Sequence, residues 1–168
     1  TDLHEDFEAG LTNWINGQWA VVTDAVVSGS AALGDGLPTD VLARHSMQLV
    51  LNRALDLSGS VDPQITFWMK GYLSYSGGWP YPRADFYVQM SKDDGVTWAN
   101  LLGQSANWNS GWIVKQATIP AEYRVSNLRL RLNAYASSSS DGSQPGMDLW
   151  IDRLSITERP PGVAFQSP

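Results

Sequence analysis

The sequence predicts an all-β fold, a two-sheet antiparallel β-sandwich or jelly roll. Three observations predict it. Short runs alternate apolar and polar residues with period two, as half-buried strands do. Gly and Pro punctuate those runs, and no window of eleven residues carries a helical period. The 168 residues, 43 % of them hydrophobic, are enough for one domain with a sizeable core. No segment repeats at a fixed period, which weighs against propellers and solenoids.

The elements follow in chain order. In Ser46–Asn52, Met47, Leu49 and Leu51 face one way and Gln48 the other. Ile65, Phe67 and Met69 alternate with Thr66, Trp68 and Lys70, and Phe86, Val88 and Met90 with Asp85, Tyr87 and Gln89. Trp112 lies in a further strand-like run. Leu128, Leu130 and Leu132 then alternate with Arg129, Arg131 and Asn133. In the last run Met147, Leu149 and Ile151 are apolar at odd positions, but Leu154 and Ile156 at even ones. That change of phase at Asp152-Arg153 predicts a bulge that re-aims a side chain. The tail ERPPGVAFQSP has the composition of a linker, so the expected division is a domain over 1–157 and a tail over 158–168.

The stretch SKDDGVTW, residues 91–98, sits between the run Ala84–Met90 and the apolar pair Leu101-Leu102. A strand, a turn with Asp and Gly, and a second strand make a hairpin. Gly95 supplies positive φ, and the Asp93 carboxylate accepts backbone N–H groups further along the turn. Trp98 covers the hairpin with its ring. The two adjacent carboxylates therefore read as a turn device, not as a catalytic pair or a metal loop.

Charge and motif content exclude several functions. The net charge of −6 argues against nucleic acid, whose phosphates call for clustered Lys and Arg. No apolar run reaches the length of a membrane span, and TDLHEDFEAG is not a signal peptide. Without cysteine there are no disulfides and no thiolate chemistry, which is compatible with a bacterial secreted protein. G-x-S-x-G, H-E-x-x-H, the P-loop and G-x-G-x-x-G are all missing. His4 is expected in a frayed terminus and His45 in a loop, neither beside a nucleophile. Asp85, Glu122 or Asp148 could form a glycosidase pair in space, which spacing alone does not show.

The order of short motifs carries a resemblance over Phe7–Ile156. The chain has EDFEAGLTNWINGQW, then SGSAAL, LDLSG, the S-x-D-x-G-x-T-W hairpin, GW before an apolar run, and LWIDRLSI. The hairpin resembles an Asp-box, a structural motif. The whole resembles bacterial jelly-roll accessory domains of the MAM-like and immune inhibitor A type. More distantly it resembles carbohydrate-binding modules, so that the sandwich is expected to be galactose-binding-like or concanavalin-like. The lack of cysteine departs from vertebrate MAM domains. These families are mostly non-catalytic.

The resemblance also implies a structural calcium ion tying the first strand to the last. The matching positions are Glu8 and Asp152. Calcium takes six to eight oxygens, so carbonyls from 28–33, around Ser30, would have to contribute. The alternative is that Glu8 caps a turn and Asp152 pairs with Arg153 or Arg44.

Eight Trp and six Tyr are a heavy aromatic load. YLSYSGGWPYPR places Tyr75, Trp79 and Tyr81 in a Gly/Pro-rich loop that ends at Arg83, and SANWNSGW sets Trp108 between Asn107 and Asn109. Loop rings with polar neighbours suit the C–H face and hydroxyl edge of a sugar, although large rings also fold back over a core. The resulting expectation is a calcium-stabilised, non-catalytic accessory module that binds a polysaccharide through loop aromatics. It would be secreted, beside neighbouring domains of a larger protein. The alternatives are an adhesion or protein-interaction domain, including a protease's C-terminal domain, and a small glycan-active enzyme.

Overall fold

The computed structural model describes residues 3–16, 19–34, 45–74, 83–137 and 146–159. Its strands are β1 (Leu3–Glu5), β2 (Trp14–Asn16), β3 (Ala20–Val22), β4 (Ala32–Gly34), β5 (His45–Leu51), β6 (Pro63–Leu73), β7 (Arg83–Ser91), β8 (Ala99–Gln104), β9 (Trp108–Thr118), β10 (Arg129–Ser137) and β11 (Met147–Glu158). Sheet A has the order β3-β4-β11-β6-β9, with β1 also paired to β11; sheet B has the order β2-β5-β10-β7-β8. Every pairing is antiparallel. Among the described residues the one helical piece is a 3-10 turn, Ala121–Tyr123.

The predicted alternations become the two inner faces of a sandwich. Ile65, Phe67 and Met69 from sheet A meet Met47, Leu49, Phe86, Val88, Leu130 and Leu132 from sheet B in one buried cluster. Phe67 and Phe86 cross the gap edge to face, with centroids 6.1 Å apart, and Trp19 meets Phe86 in the same way. The polar partners in each run turn outward and form the two outer faces.

Two sequence expectations are corrected, and one alternative left open by the sequence is resolved. Both histidines lie on strands: His4 is held in β1 against Ser155 of β11, and His45 begins β5. Trp108 and Asn109 belong to β9, not to a loop; Trp108 pairs with Leu73 and packs against the core. The carboxylates considered for catalysis are separated. Asp85 faces outward on sheet B, Asp148 outward on sheet A, and Glu122 sits in the 3-10 turn against Lys92.

The change of phase in the last strand is a bulge, as predicted. The β11–β6 register shifts between Asp152 and Ser155, and Arg153 has φ 53°. Strand β1 joins β11 beyond the bulge and β4 joins it before.

Candidate functional site

Two regions position the candidate side chains. The first is a clasp between the start of the chain and its last strand. The turn after β1 holds Phe7 at φ 61°, and Glu8 follows it. Glu8 Oε1 accepts the backbone N–H of Ser30 at 2.8 Å and of Ala31 at 2.9 Å, while Oε2 accepts the Ser30 hydroxyl at 2.8 Å. The Ala31 amide, then the Ser30 hydroxyl and amide, hold the Glu8 carboxyl below its ordinary value. Gly29 makes this approach possible: a Cβ there would stand 2.2 Å from Glu8 Oε1.

Asp152 grips the same loop from the other side. Its Oδ2 accepts the N–H of Val27 at 2.8 Å and of Ser28 at 3.4 Å, and its Oδ1 accepts the N–H of Arg153 at 2.8 Å. The structure thus brings Glu8, Ser30 and Asp152 onto one loop, 27–31. Asp152 is completely buried, and no ion pair among the described residues includes it. Its contact with Arg153 is through the main chain, not the guanidinium, and Arg44, the other arginine considered as its partner, lies outside the described residues. Three backbone N–H donors offset part of the cost of burying this carboxylate, and among the described residues no basic side chain adds to them. The set of Glu8, Ser30 and Asp152 offers the hard oxygens that calcium takes, but the groups of loop 27–31 that meet the two carboxylates are N–H and O–H donors. It fits in kind but supplies two carboxylates, and no group of three His, Cys, Asp or Glu forms a cluster among the described residues.

The second region is the outer face of sheet B, which the sequence did not single out. Register sets Tyr135 opposite Asp85, Asn133 opposite both Gln48 and Tyr87, and Arg131 opposite both Val50 and Gln89. Three strands therefore carry a continuous track of one exposed ring, a second ring and amides. Tyr135 is 46 % exposed. Tyr87 lies against Gly103, where a Cβ would stand 2.0 Å from Phe86 O, and its hydroxyl pairs with Ser105 Oγ at 2.9 Å. At the far end Arg131 stacks on Trp98, 4.2 Å from the ring centroid, and donates to Gln89 Oε1 at 2.7 Å. Burial lowers the Arg131 pKa, but the guanidinium stays charged.

The loop residues singled out from sequence approach the other end of this track. Arg83 is exposed at the start of β7 and forms an ion pair with Asp85 at 2.8 Å; Asp85 Oδ1 accepts the N–H of Ala106 at 3.0 Å. Asn107 is exposed in the same β8–β9 connection, and Trp108 is half-buried beyond it. Tyr75, Trp79 and Tyr81 lie outside the described residues. Polar alternation in Gln48, Tyr87, Gln89, Arg131 and Asn133 was the sequence signal for the track; which strands pair was not.

Comparison with known proteins places the architecture. No family model matches the chain, and no curated protein is significantly similar to it. Among solved structures, CBM27-1 of Caldicellulosiruptor saccharolyticus in complex with mannohexaose aligns with a TM-score of 0.59 and 16 % identity, covering 93 % of this chain and 96 % of that one. A xylan-binding domain from CBM 22 aligns at 0.54 and 12 %, covering 93 % of each chain. The K3 cleaved adhesin domain of Lys-gingipain from Porphyromonas gingivalis aligns at 0.56 and 15 %, covering 94 % and 98 %. The chain has the sandwich fold of carbohydrate-binding modules. At such identities the likeness shows fold alone.

Proposed function

We propose that this chain is a non-catalytic, carbohydrate-binding accessory module of a secreted protein, and that it holds a linear polysaccharide along the outer face of sheet B. The observation that carries the reading is the Tyr135–Asn133–Gln48–Tyr87–Gln89 track, a ring exposed beside fixed amides on three rigid strands. A tyrosine face takes the C–H side of a sugar, and amides satisfy its hydroxyls. The named ligands of two structural neighbours, mannohexaose and xylan, support a polysaccharide of the mannan or xylan kind as the ligand class. Arg83 and Asn107 border the track's upper end, and Tyr75, Trp79 and Tyr81 precede Arg83 in the chain. Calcium held by Glu8 and Asp152, with main-chain oxygens near Ser30, would neutralise the buried carboxylate and stabilise the clasp without touching the sugar.

The test is binding of the folded domain to a polysaccharide panel, with Tyr135→Ala beside the wild type. Loss of one exposed stacking ring is expected to weaken binding about tenfold or more while the melting temperature stays put. Equal binding by both proteins sinks the placement, and no binding to any glycan sinks the function. The likeness to an adhesin domain supports an adhesion role as the second reading. That role predicts no retention on polysaccharide.

A further inference from the structure

The outer face of sheet A carries rings that neither the core nor the sheet B track uses. Along β6, Thr66, Trp68, Lys70 and Tyr72 turn outward and are half-buried. Ile113 of β9 faces Met69, which turns Trp112 and Val114 out; Asp148 and Trp150 of β11 face the same way. Register sets Trp68 beside Val114 and Trp150 beside Lys70. The β6–β9 irregularity between Met69 and Gly71 leaves Trp112 on the other flank of Lys70. The Lys70 ammonium lies 5.2 Å from the Trp150 ring centroid, and Trp150 Nε1 donates to Asp24 at 3.1 Å.

We propose that this face is a second glycan-contact surface, which takes an extended β-linked polysaccharide laid across the strands. Trp150 and Trp112 stand on β11 and β9 with β6 between, so roughly 10 Å separates their strands. In an extended two-fold β-1,4-linked chain alternate sugars present the same face, so two indoles set two strands apart can meet two sugars of one chain. The strands hold the indoles, so little freedom is lost on binding. Lys70, Thr66 and Asn109 lie among these rings by register and can meet hydroxyl groups. A protein partner would instead favour a centre depleted of charge, whereas here Lys70 sits in the middle. The proposal shares with the sheet B reading the premise that the ligand is a glycan, but it needs a separate surface.

The experiment compares four proteins: wild type, Trp112→Ala, Val114→Arg and Tyr135→Ala. Val114 is 46 % exposed, so the arginine obstructs the face without opening the core. Retention is measured on insoluble β-1,4-mannan and xylan, and affinity for the soluble hexasaccharides by titration, with melting temperature as the folding control. Both sheet A variants are expected to lose about tenfold or more in retention on insoluble polysaccharide and to keep wild-type affinity for the hexasaccharide. Tyr135→Ala is expected to lose the hexasaccharide. Wild-type retention by folded Val114→Arg and Trp112→Ala overturns the second surface and leaves the sheet B reading standing. Wild-type hexasaccharide affinity in folded Tyr135→Ala, with retention still lost in Trp112→Ala, does the reverse. A wild-type protein retained on neither polysaccharide removes both.

Discussion

Asp93 shows how much a single carboxylate can organise. Its Oδ1 accepts the Ser91 hydroxyl at 2.7 Å and the Thr97 N–H at 2.9 Å, and its Oδ2 accepts the Thr97 hydroxyl. Ser91 Oγ in turn accepts the N–H of Gly95 at 2.8 Å. The Thr97 hydroxyl first, then its amide and the Ser91 hydroxyl, lower the Asp93 pKa from 3.8 to about 2. A depressed carboxylate adds stability that is fully present above its unfolded value and fades as pH falls through the folded one. The hairpin contribution should therefore be constant above the ordinary aspartate value of 3.8 and disappear toward pH about 2. Asp93→Asn should melt lower than wild type at neutral pH, with the gap closing over that window. A gap that stays constant down to pH 2 would show that the carboxylate's charge is not what locks the turn. The sequence pointed to Asp93, Gly95 and Thr97 because turn chemistry is local. It did not reveal that Ser91, 1 % exposed, relays the bond to Gly95.

At the scale of the strand, Gly71 marks where β6 departs from regular pairing. It has φ 130°, and a Cβ there would stand 1.9 Å from the Asp148 carbonyl oxygen of β11. Backbone cannot yield as a flexible side chain can, so Gly71→Ala should cost about 2 kcal/mol or more in chemical denaturation. Gly59→Ala, with nothing within 4 Å, is the control; equal stability of the two variants would count against the bulge as the cause. Strand legibility followed length and burial. Strands β6, β7 and β10 have one face in the core and show a period of two, and β11 shows it on either side of its bulge. Strands β1 to β4 are three residues each, too short to display any period. Edge strand β9 blurs the pattern, because Lys115 faces inward at the seam and reaches Gln104 Oε1 at 2.7 Å. The Glu8–Asp152 clasp was approached through family resemblance and the shift at Asp152. The sheet B track was not legible, since Gln48, Tyr87 and Asn133 meet through register between distant segments.

Across the whole molecule, the clasp joins three separate parts of the chain. Strand β1 pairs with β11 beyond the bulge, and loop 27–31 is held by Glu8 from one side and by Asp152 from the other. Hydrogen bonds alone leave the Asp152 charge buried without a basic partner among the described residues. If calcium supplies the missing charge, it binds the folded state and not the unfolded chain, and so adds stability in proportion to its occupancy. Excess chelator should then lower the melting temperature and added calcium should restore it. Asp152→Asn should lower the melting temperature in calcium and lose the response to chelator, because the neutral amide no longer needs the cation. Tyr135→Ala should respond like the wild type, since sheet B lies across the core from the clasp. A wild-type melting temperature unchanged after confirmed metal removal would mean that the amides of Val27, Ser28, Ser30 and Ala31 hold the two carboxylates by themselves. In that case Gly29→Ala, which forces a Cβ into Glu8 Oε1, should destabilise the fold to the same extent with or without calcium.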